Sequence, residues 1–327
     1  MSFETIRLEK GMYNVPGGIT AALEQLDPSE NYKDTPLAGL DAYQRQLKRF
    51  DIKVAGANSD VIAKFFSTTD SAALFPEFIS RAVATGITGE NLLPEIVATT
   101  THIDSIDYRS IVSDISDDAK ALQEVAEGAT IPETSVSTRE TLVTLKKRGR
   151  MLTASYEALK FQRLDLFTVT LKQIGAYIAR QQFNDALGVL AADAKGVSAE
   201  GNALSYNDLI SLWNELDPYH LNTMIASPEL VKAMLNLTQF QNPETGINFA
   251  GTGCLSTPLG ARMIKSDALQ NVDLIGFDKN YALEMVVAQD VTVDYDRLID
   301  RQLERAAITT IAGFSKIFND AVRTLTV

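Results

Sequence analysis

Thiol, imidazole and indole are scarce in this chain. Its 327 residues include one cysteine (Cys254), two histidines (His102 and His220) and one tryptophan. A single cysteine allows no internal disulfide and suits a reducing cytosol. With no histidine near it in sequence, it reads as a small packed hydrophobe and not as a nucleophile. Each histidine stands alone and reads as a surface or packing residue. No spacing suits zinc, and neither a phosphate-binding loop nor a dinucleotide fingerprint is present. Gly251 to Gly260 holds glycines but follows no clear strand and lacks the phosphate lysine, so it reads as a loop. No apolar run approaches the ~18 residues that a membrane span needs. The first residues show no basic segment followed by an apolar one, so no signal peptide is expected. Positive charge is short as well: 30 Lys and Arg face 42 Asp and Glu, a net charge of −12. Nucleic-acid binding needs clustered cations to neutralise phosphates, so DNA or RNA is disfavoured as the main ligand.

What is present is core. Hydrophobic residues make up 45% of the chain, enough for two domains or one large elaborated one. The strongest pattern starts at Leu164, with Phe167, Leu171, Ile174 and Ile178 at 3-4-3-4 spacing. The same face resumes with Phe183, Ala186, Leu187 and Leu190. This predicts one α-helix of about 40 Å, with Asp165 as its N-cap and Gly188 and Gly196 as stop signals.

Residues 1–70 read as an arm. Chain breakers fall at Pro16, Gly17, Gly18, Pro28 and Pro36. Between them lie short amphipathic pieces. One carries Leu37, Leu40, Tyr43, Leu47 and Phe50, with Arg45, Lys48 and Arg49 turned away; another is Val61, Ile62, Phe65 and Phe66. Such pieces are too short to hold alone in water, and nothing in the arm offers them a surface. A second helix is predicted from Leu74 to Gly86, with Pro76 in its first turn.

Residues 101–145 form a long two-stranded excursion. The outgoing limb carries Ile103, Ile106, Tyr108, Ile111 and Val112; the returning limb runs from Val136 to Leu145. Nine acidic residues face three basic ones there, so the segment carries −6 of the chain's −12. A lone hairpin is marginal in water. Immediately after it comes the basic run Lys146, Lys147, Arg148 and Arg150. By itself that run reads as a solvated face.

Residues 200–300 read as an α/β module. Ser205 and Asp208 make a weak capping box before Leu209, Leu212, Trp213 and Leu216. Thr223 to Ala226 reads as a buried strand, and Ser227-Pro228-Glu229 restarts a helix. Strands are predicted at 272–277, 283–288 and 291–295, and one or two long strands at 303–327. Asp294, Asp296 and Asp300 alternate and could touch a cation, though no glycine turn or bidentate Glu completes a calcium loop.

The order of arm, hairpin excursion, long helix, α/β module and long returning strands resembles the major capsid protein of tailed bacteriophages, of the Hong Kong 97 type. Three stretches carry the likeness. The excursion tip Val125 to Glu133 and the limb through Ala154 are similar to the family's E-loop. Leu164 to Leu190 is similar to its spine helix. Asp273 to Phe277 and Gln302 to Ile311 are similar to its last strands.

The resemblance implies an α+β fold in four parts. Residues 1–70 are the N-terminal arm, and 101–145 the E-loop. Residues 71–100, 146–195 and 300–327 are the peripheral domain, and 196–299 the axial domain. It also implies a structural protein without enzymatic activity, cofactor or metal. Such a protein assembles into pentamers and hexamers of an icosahedral virion shell in the host bacterial cytoplasm, and encloses double-stranded DNA without sequence-specific binding or a membrane. The N-terminal region is too short for a long scaffolding domain. This implies a separate scaffolding protein or none; the expected partners are scaffolding and portal proteins, with decoration proteins as an open alternative. Gly128 stands where the type member has its cross-linking lysine, so a shell without covalent links is expected.

The candidate contacts between copies are Glu124, Glu127, Ile131, Pro132 and Glu133 on the excursion, and Lys146, Lys147, Arg148 and Arg150 on the receiving copy. On this reading the arm and the excursion become ordered only across sister copies. An encapsulin-like compartment shares the fold. The alternative of another class is a metal hydrolase using Asp294, Asp296 and Asp300.

Overall fold

The computed structural model describes residues 3–15, 17–113, 124–128, 131, 136–155, 157, 161–199, 201, 203–241, 255–256, 259–269, 272–298 and 303–327. In chain order the helices used below are α1 (Gly18–Leu26), α2 (Ala42–Arg49), α3 (Phe75–Glu90), α4 (Leu164–Ala191), α5 (Tyr206–Asn214) and α6 (Pro228–Leu235). The strands are β1 (Thr99–His102), β2 (Ile111–Ser113), β3 (Val136–Thr138), β4 (Leu145–Ser155), β5 (Lys195–Ser198), β6 (Thr223–Ala226), β7 (Leu255–Ser256), β8 (Arg262–Lys265), β9 (Leu274–Phe277), β10 (Leu283–Leu298), β11 (Leu303–Lys316) and β12 (Val322–Thr326). The chain forms two units. One comprises Met1–Asn91, Lys147–Arg180 and Gln289–Thr310; the other comprises Leu92–Lys146, Gln181–Ala288 and Ile311–Val327. These cuts fall at other places than the four-part division expected from the resemblance.

In the first unit, α3 and the first part of α4 cross where both present glycine. A Cβ on Gly86 would lie 2.1 Å from the Lys172 carbonyl oxygen, and one on Gly175 would lie 2.1 Å from that of Val83. The two backbones touch, and no larger residue fits. Beside the crossing, Phe75 stacks on Phe167 with ring centroids 6.2 Å apart, and Phe65 packs on Phe78 at 5.5 Å. Pro76 sits in the first turn of α3, as expected from its missing N–H. The long helix spans the predicted residues. Asp165, expected as its N-cap, lies instead inside the first turn, where its Oδ1 accepts the N–H of Leu166 at 2.8 Å. A hydrogen bond from Ser59 is the main reason its carboxyl sits below the usual range.

Residues 1–70 do not behave as the sequence led us to expect. Ile6, Leu8, Ile19, Leu23, Tyr43, Leu47, Ile52, Ile62 and Phe65 are buried in the same core as Leu74, Phe78, Val83, Leu164, Leu171 and Ile178. The surface that the short amphipathic pieces lack is supplied by α3 and α4 of their own chain. The expectation failed because periodicity shows that a face is apolar but not which face it meets.

Arg45, expected to point away, is 0% exposed. Its Nε donates to Asp27 Oδ2 at 3.0 Å, and its Nη1 donates to Ser29 Oγ and the Leu40 carbonyl, each at 2.8 Å. Its guanidinium also lies over the Tyr32 ring, 4.5 Å from the centroid. Removing one partner of such a pair strands the other, at a cost of about 3–5 kcal/mol. The arm is thus tied down by a polar lock as well as by burial.

The second unit holds a six-stranded sheet in the order β5-β12-β9-β6-β8-β7. β6 and β9 are buried along their whole length, as their unbroken apolar runs require. Both module helices begin as read from sequence. Ser205 and Asp208 complete a capping box at α5, and Ser227 Oγ accepts the N–H of Leu230 at 3.2 Å at α6. Trp213, placed on the apolar face of α5, is exposed. The last part of α4 adds Phe183, Ala186, Leu187 and Leu190 to a core with Leu93, Ile96, Ile225 and Phe314. The strands predicted at 283–288 and 291–295 are one continuous strand, β10, because the polar residues Gln289 and Asp290 do not interrupt its backbone pairing. Strands β1, β10, β11 and β4 are hydrogen-bonded in that order.

Gly86→Ala and Gly175→Ala should each destabilise the protein by about 1–3 kcal/mol, as overpacking does, although alanine is the better helix former. Denaturant unfolding of both variants checks this. A gain in stability from either would show that the helices separate at no cost.

Candidate subunit-contact surface

The excursion is a real hairpin with a firm root. β2 and β3 pair antiparallel, with Ile111 opposite Thr138 and Ser113 opposite Val136. Below them the Arg139 N–H donates to the Ser110 carbonyl, and the Val143 N–H donates to that of Tyr108, each at 2.9 Å. The root is pinned by one buried carboxylate. Glu284 on β10 is 5% exposed. It accepts hydrogen bonds from Thr101 Oγ1 at 2.6 Å, Tyr108 OH at 2.7 Å and Ser110 Oγ at 2.6 Å. Burial, and then the hydrogen bond to Glu284, push the Tyr108 phenol above its usual range.

A second anchor lies on the returning limb. Arg139 Nη2 donates to the carbonyls of Lys316 at 2.6 Å and Ile317 at 3.3 Å. Lys316 is itself 5% exposed and donates its Nζ to the Ala192 carbonyl. Burial lowers its pKa from 10.5 to about 8; Asp193 opposes that shift and Arg139 adds to it. At Gly313 an added Cβ would lie 2.6 Å from the Thr144 carbonyl, so β11 and the limb are in direct backbone contact there.

Beyond the root, the excursion presents apolar residues to solvent. Ile106 is 71% exposed and Ile131 75%, with Ile111 and Leu142 also open. Glu124 and Glu127 are exposed beside Gly128, whose φ of 79° is one that glycine adopts without strain. Pro132 and Glu133 lie outside the described residues, as do Cys254 and Asp300. On the basic run, Lys146 is committed within its own copy: its Nζ donates to Asp185 Oδ1 at 2.8 Å. Lys147 and Arg150 are exposed on β4, and Arg148 is half-buried. Asp296 of the acidic trio pairs with Arg305 at 3.1 Å. Among the described residues no cluster of acidic, histidine or cysteine side chains could hold a metal ion, and no helix is long and apolar enough to cross a membrane.

Sequence reading did not single out Glu284, Arg139, Lys316 or Asp185. A signal existed for two of them. Glu284 interrupts the apolar run from Ala282 to Val287, and Lys316 interrupts that from Ile311 to Phe318. A lone charge in a buried strand needs partners, and here it has them.

A hairpin excursion, a helix shared between two cores and long returning strands define the α+β capsid fold of the Hong Kong 97 type. Comparison with known proteins agrees. The sequence profile of the family described as phage capsid protein matches residues 138–314, more than half of the chain. No curated protein matches. Among solved structures, a virus-like particle from Pyrococcus furiosus aligns with a TM-score of 0.54 at 14% identity, covering 77% of this chain and 99% of that one. The Gordonia phage Cozz structure aligns with a TM-score of 0.56 at 14% identity, covering 72% and 86%. The capsid of a native GTA particle aligns with a TM-score of 0.55 at 11% identity, covering 74% and 89%. The chain belongs to the phage capsid protein family. It is a structural protein of the virion, a major capsid protein.

Two outcomes are expected of this surface. Glu284→Ala should leave three hydroxyls without their acceptor and speed limited proteolysis between residues 103 and 143 by roughly tenfold, as a loss of about 1.4 kcal/mol of local protection implies. Unchanged cleavage would mean that the root is held elsewhere. Lys316→Met should melt higher than the parent at pH 7. The fold disfavours the charged lysine, a penalty present in full below pH 8, shrinking from 8 to 10.5 and absent above. Thermal melts across that range should show the gain fading as pH rises.

Proposed function

We propose that copies of this chain assemble into pentamers and hexamers that close an icosahedral shell around double-stranded DNA, in the cytoplasm of a bacterial host. The observation that carries this is the excursion, which exposes Ile106, Ile111 and Ile131 beyond a root held by buried hydrogen bonds. Apolar residues on a firmly rooted projection are contact residues in waiting. In the shell, residues 101–145 act as the E-loop. Residues 71–100, 146–195 and 300–327 act as the peripheral domain, and 196–299 as the axial domain. Residues 1–70 contribute less between copies than an open arm would, because their apolar faces are filled at home.

The acidic tip, with Glu124, Glu127 and Glu133, docks on a neighbour's Lys146, Lys147, Arg148 and Arg150, while Ile131 and Pro132 supply the apolar hold. Exposed ion pairs contribute only about 0–1 kcal/mol each, so charge sets register and burial sets strength. Many modest contacts closed into a shell sum to a stable particle. A separate scaffolding protein, a portal and decoration proteins complete the particle. Gly128 offers no amine at the tip, so the shell holds without covalent links.

Purified protein should sediment as megadalton particles that protect DNA from nuclease and run as single chains once denatured. Particles without nucleic acid would favour an encapsulin-like compartment, and a 35.7 kDa monomer under all conditions would overturn the shell reading. Reversing Lys147 and Arg148 to Glu should cut particle yield severalfold at low salt. Unchanged yield at every salt concentration would remove the basic run from the docking site.

A further inference from the structure

Between the returning limb of the excursion, the end of α4 and the end of β11 lies a cavity of about 430 Å³. Its walls include Arg139, Leu142, Lys146, Asp185, Asp193 and Lys316. The two basic residues at its root spend their hydrogen bonds on backbone carbonyls: Arg139 on Lys316 and Ile317, and Lys316 on Ala192. The Arg139 Nε is buried and has no acceptor. Lys146 and Asp185 satisfy each other at 2.8 Å. Among the described wall residues, Asp193 is left to balance the buried Lys316 and the half-buried Arg139. A half-open site with excess positive charge and an unsatisfied donor suits an acceptor group carrying negative charge.

We propose that this cavity is a socket for carboxylate side chains on the acidic excursion of a second copy, with Arg139 and Lys316 as the charged contacts. The proposal rests on the shell reading above and names a receiving site deeper than the exposed basic run. Charge complementarity selects the occupant. The excursion holds half of the chain's net charge, and Glu124 and Glu127 stay exposed in their own copy. Leu142, half-exposed on the limb that lines the cavity, offers an apolar neighbour for a residue such as Ile131. A phosphate chain fits less well, because Asp185 and Asp193 share the walls. The arrangement is reciprocal: each copy offers one acidic tip and one cationic socket, which is what a head-to-tail ring requires.

The test uses the full chain. Particles are assembled from an equal mixture of 14N- and 15N-labelled protein and treated with a carbodiimide, which joins a carboxylate to an amine with no spacer. Mass spectrometry of the digest should find the peptide of Lys316 joined to peptides of Glu124 or Glu127, with mixed isotopes in about half of the pairs. Particles in which Lys316 is joined only to Asp185 or Asp193 of the same label, or to nothing, would overturn the socket and leave the shell reading standing. Failure of the parent protein to form particles would sink both. As a second measurement, Arg139→Glu should lower particle yield at least roughly tenfold, equivalent to 1.4 kcal/mol, and Glu127→Lys in the same chain should restore it. Full yield from Arg139→Glu alone, or no recovery in the double variant of a folded R139E protein, would count against the proposal.

Discussion

Helix α4 carries an apolar face longer than one small core can fill. Leu164, Phe167, Leu171, Ile174 and Ile178 belong to the core of one unit, and Phe183, Ala186, Leu187 and Leu190 to that of the other. Each fully buried side chain of this kind contributes about 1.5–3 kcal/mol, so neither core stands without its share of the helix. The long strands β10 and β11 likewise contribute residues to both units. A chain organised this way has elements that serve more than a single core.

Firmness at the root and exposure at the tip are two consequences of one arrangement around the excursion. Glu284 and Arg139 hold the limbs by buried and part-buried hydrogen bonds, which would be costly to leave unmade. Beyond that root, among the described residues, Ile106 and Ile131 stay in water. The root spends polar groups on position, and the tip leaves apolar area for association. Exposed charges such as Glu124 and Glu127 are screened by salt far more than the buried Glu284.

The N-terminal residues teach a different lesson. If a copy were unfinished until sister copies covered it, its first seventy residues would have no home. They have one: Ile19, Leu23, Tyr43 and Phe65 lie in a core with α3 and α4, locked by Arg45 and Asp27. That removes the arm as an argument for assembly. Family membership does not depend on it, because the matched residues, 138–314, lie elsewhere.

Local pattern alone determined a good deal. It located α4, the Pro76 turn of α3, the capped starts of α5 and α6, the buried strands β6 and β9, and the acidic excursion, because period, caps and charge are properties of neighbours in sequence. The order of those elements was enough to suggest the capsid fold. Tertiary structure decided the rest. It placed Arg45 inside, joined Gln289 and Asp290 into one strand, and folded residues 1–70 onto their own chain. It set Gly86 against Lys172, and brought Arg139, Asp185 and Lys316 around one cavity. Those outcomes depend on residues far apart along the chain meeting at van der Waals or hydrogen-bond distance, and no local periodicity records which distant face a segment will meet.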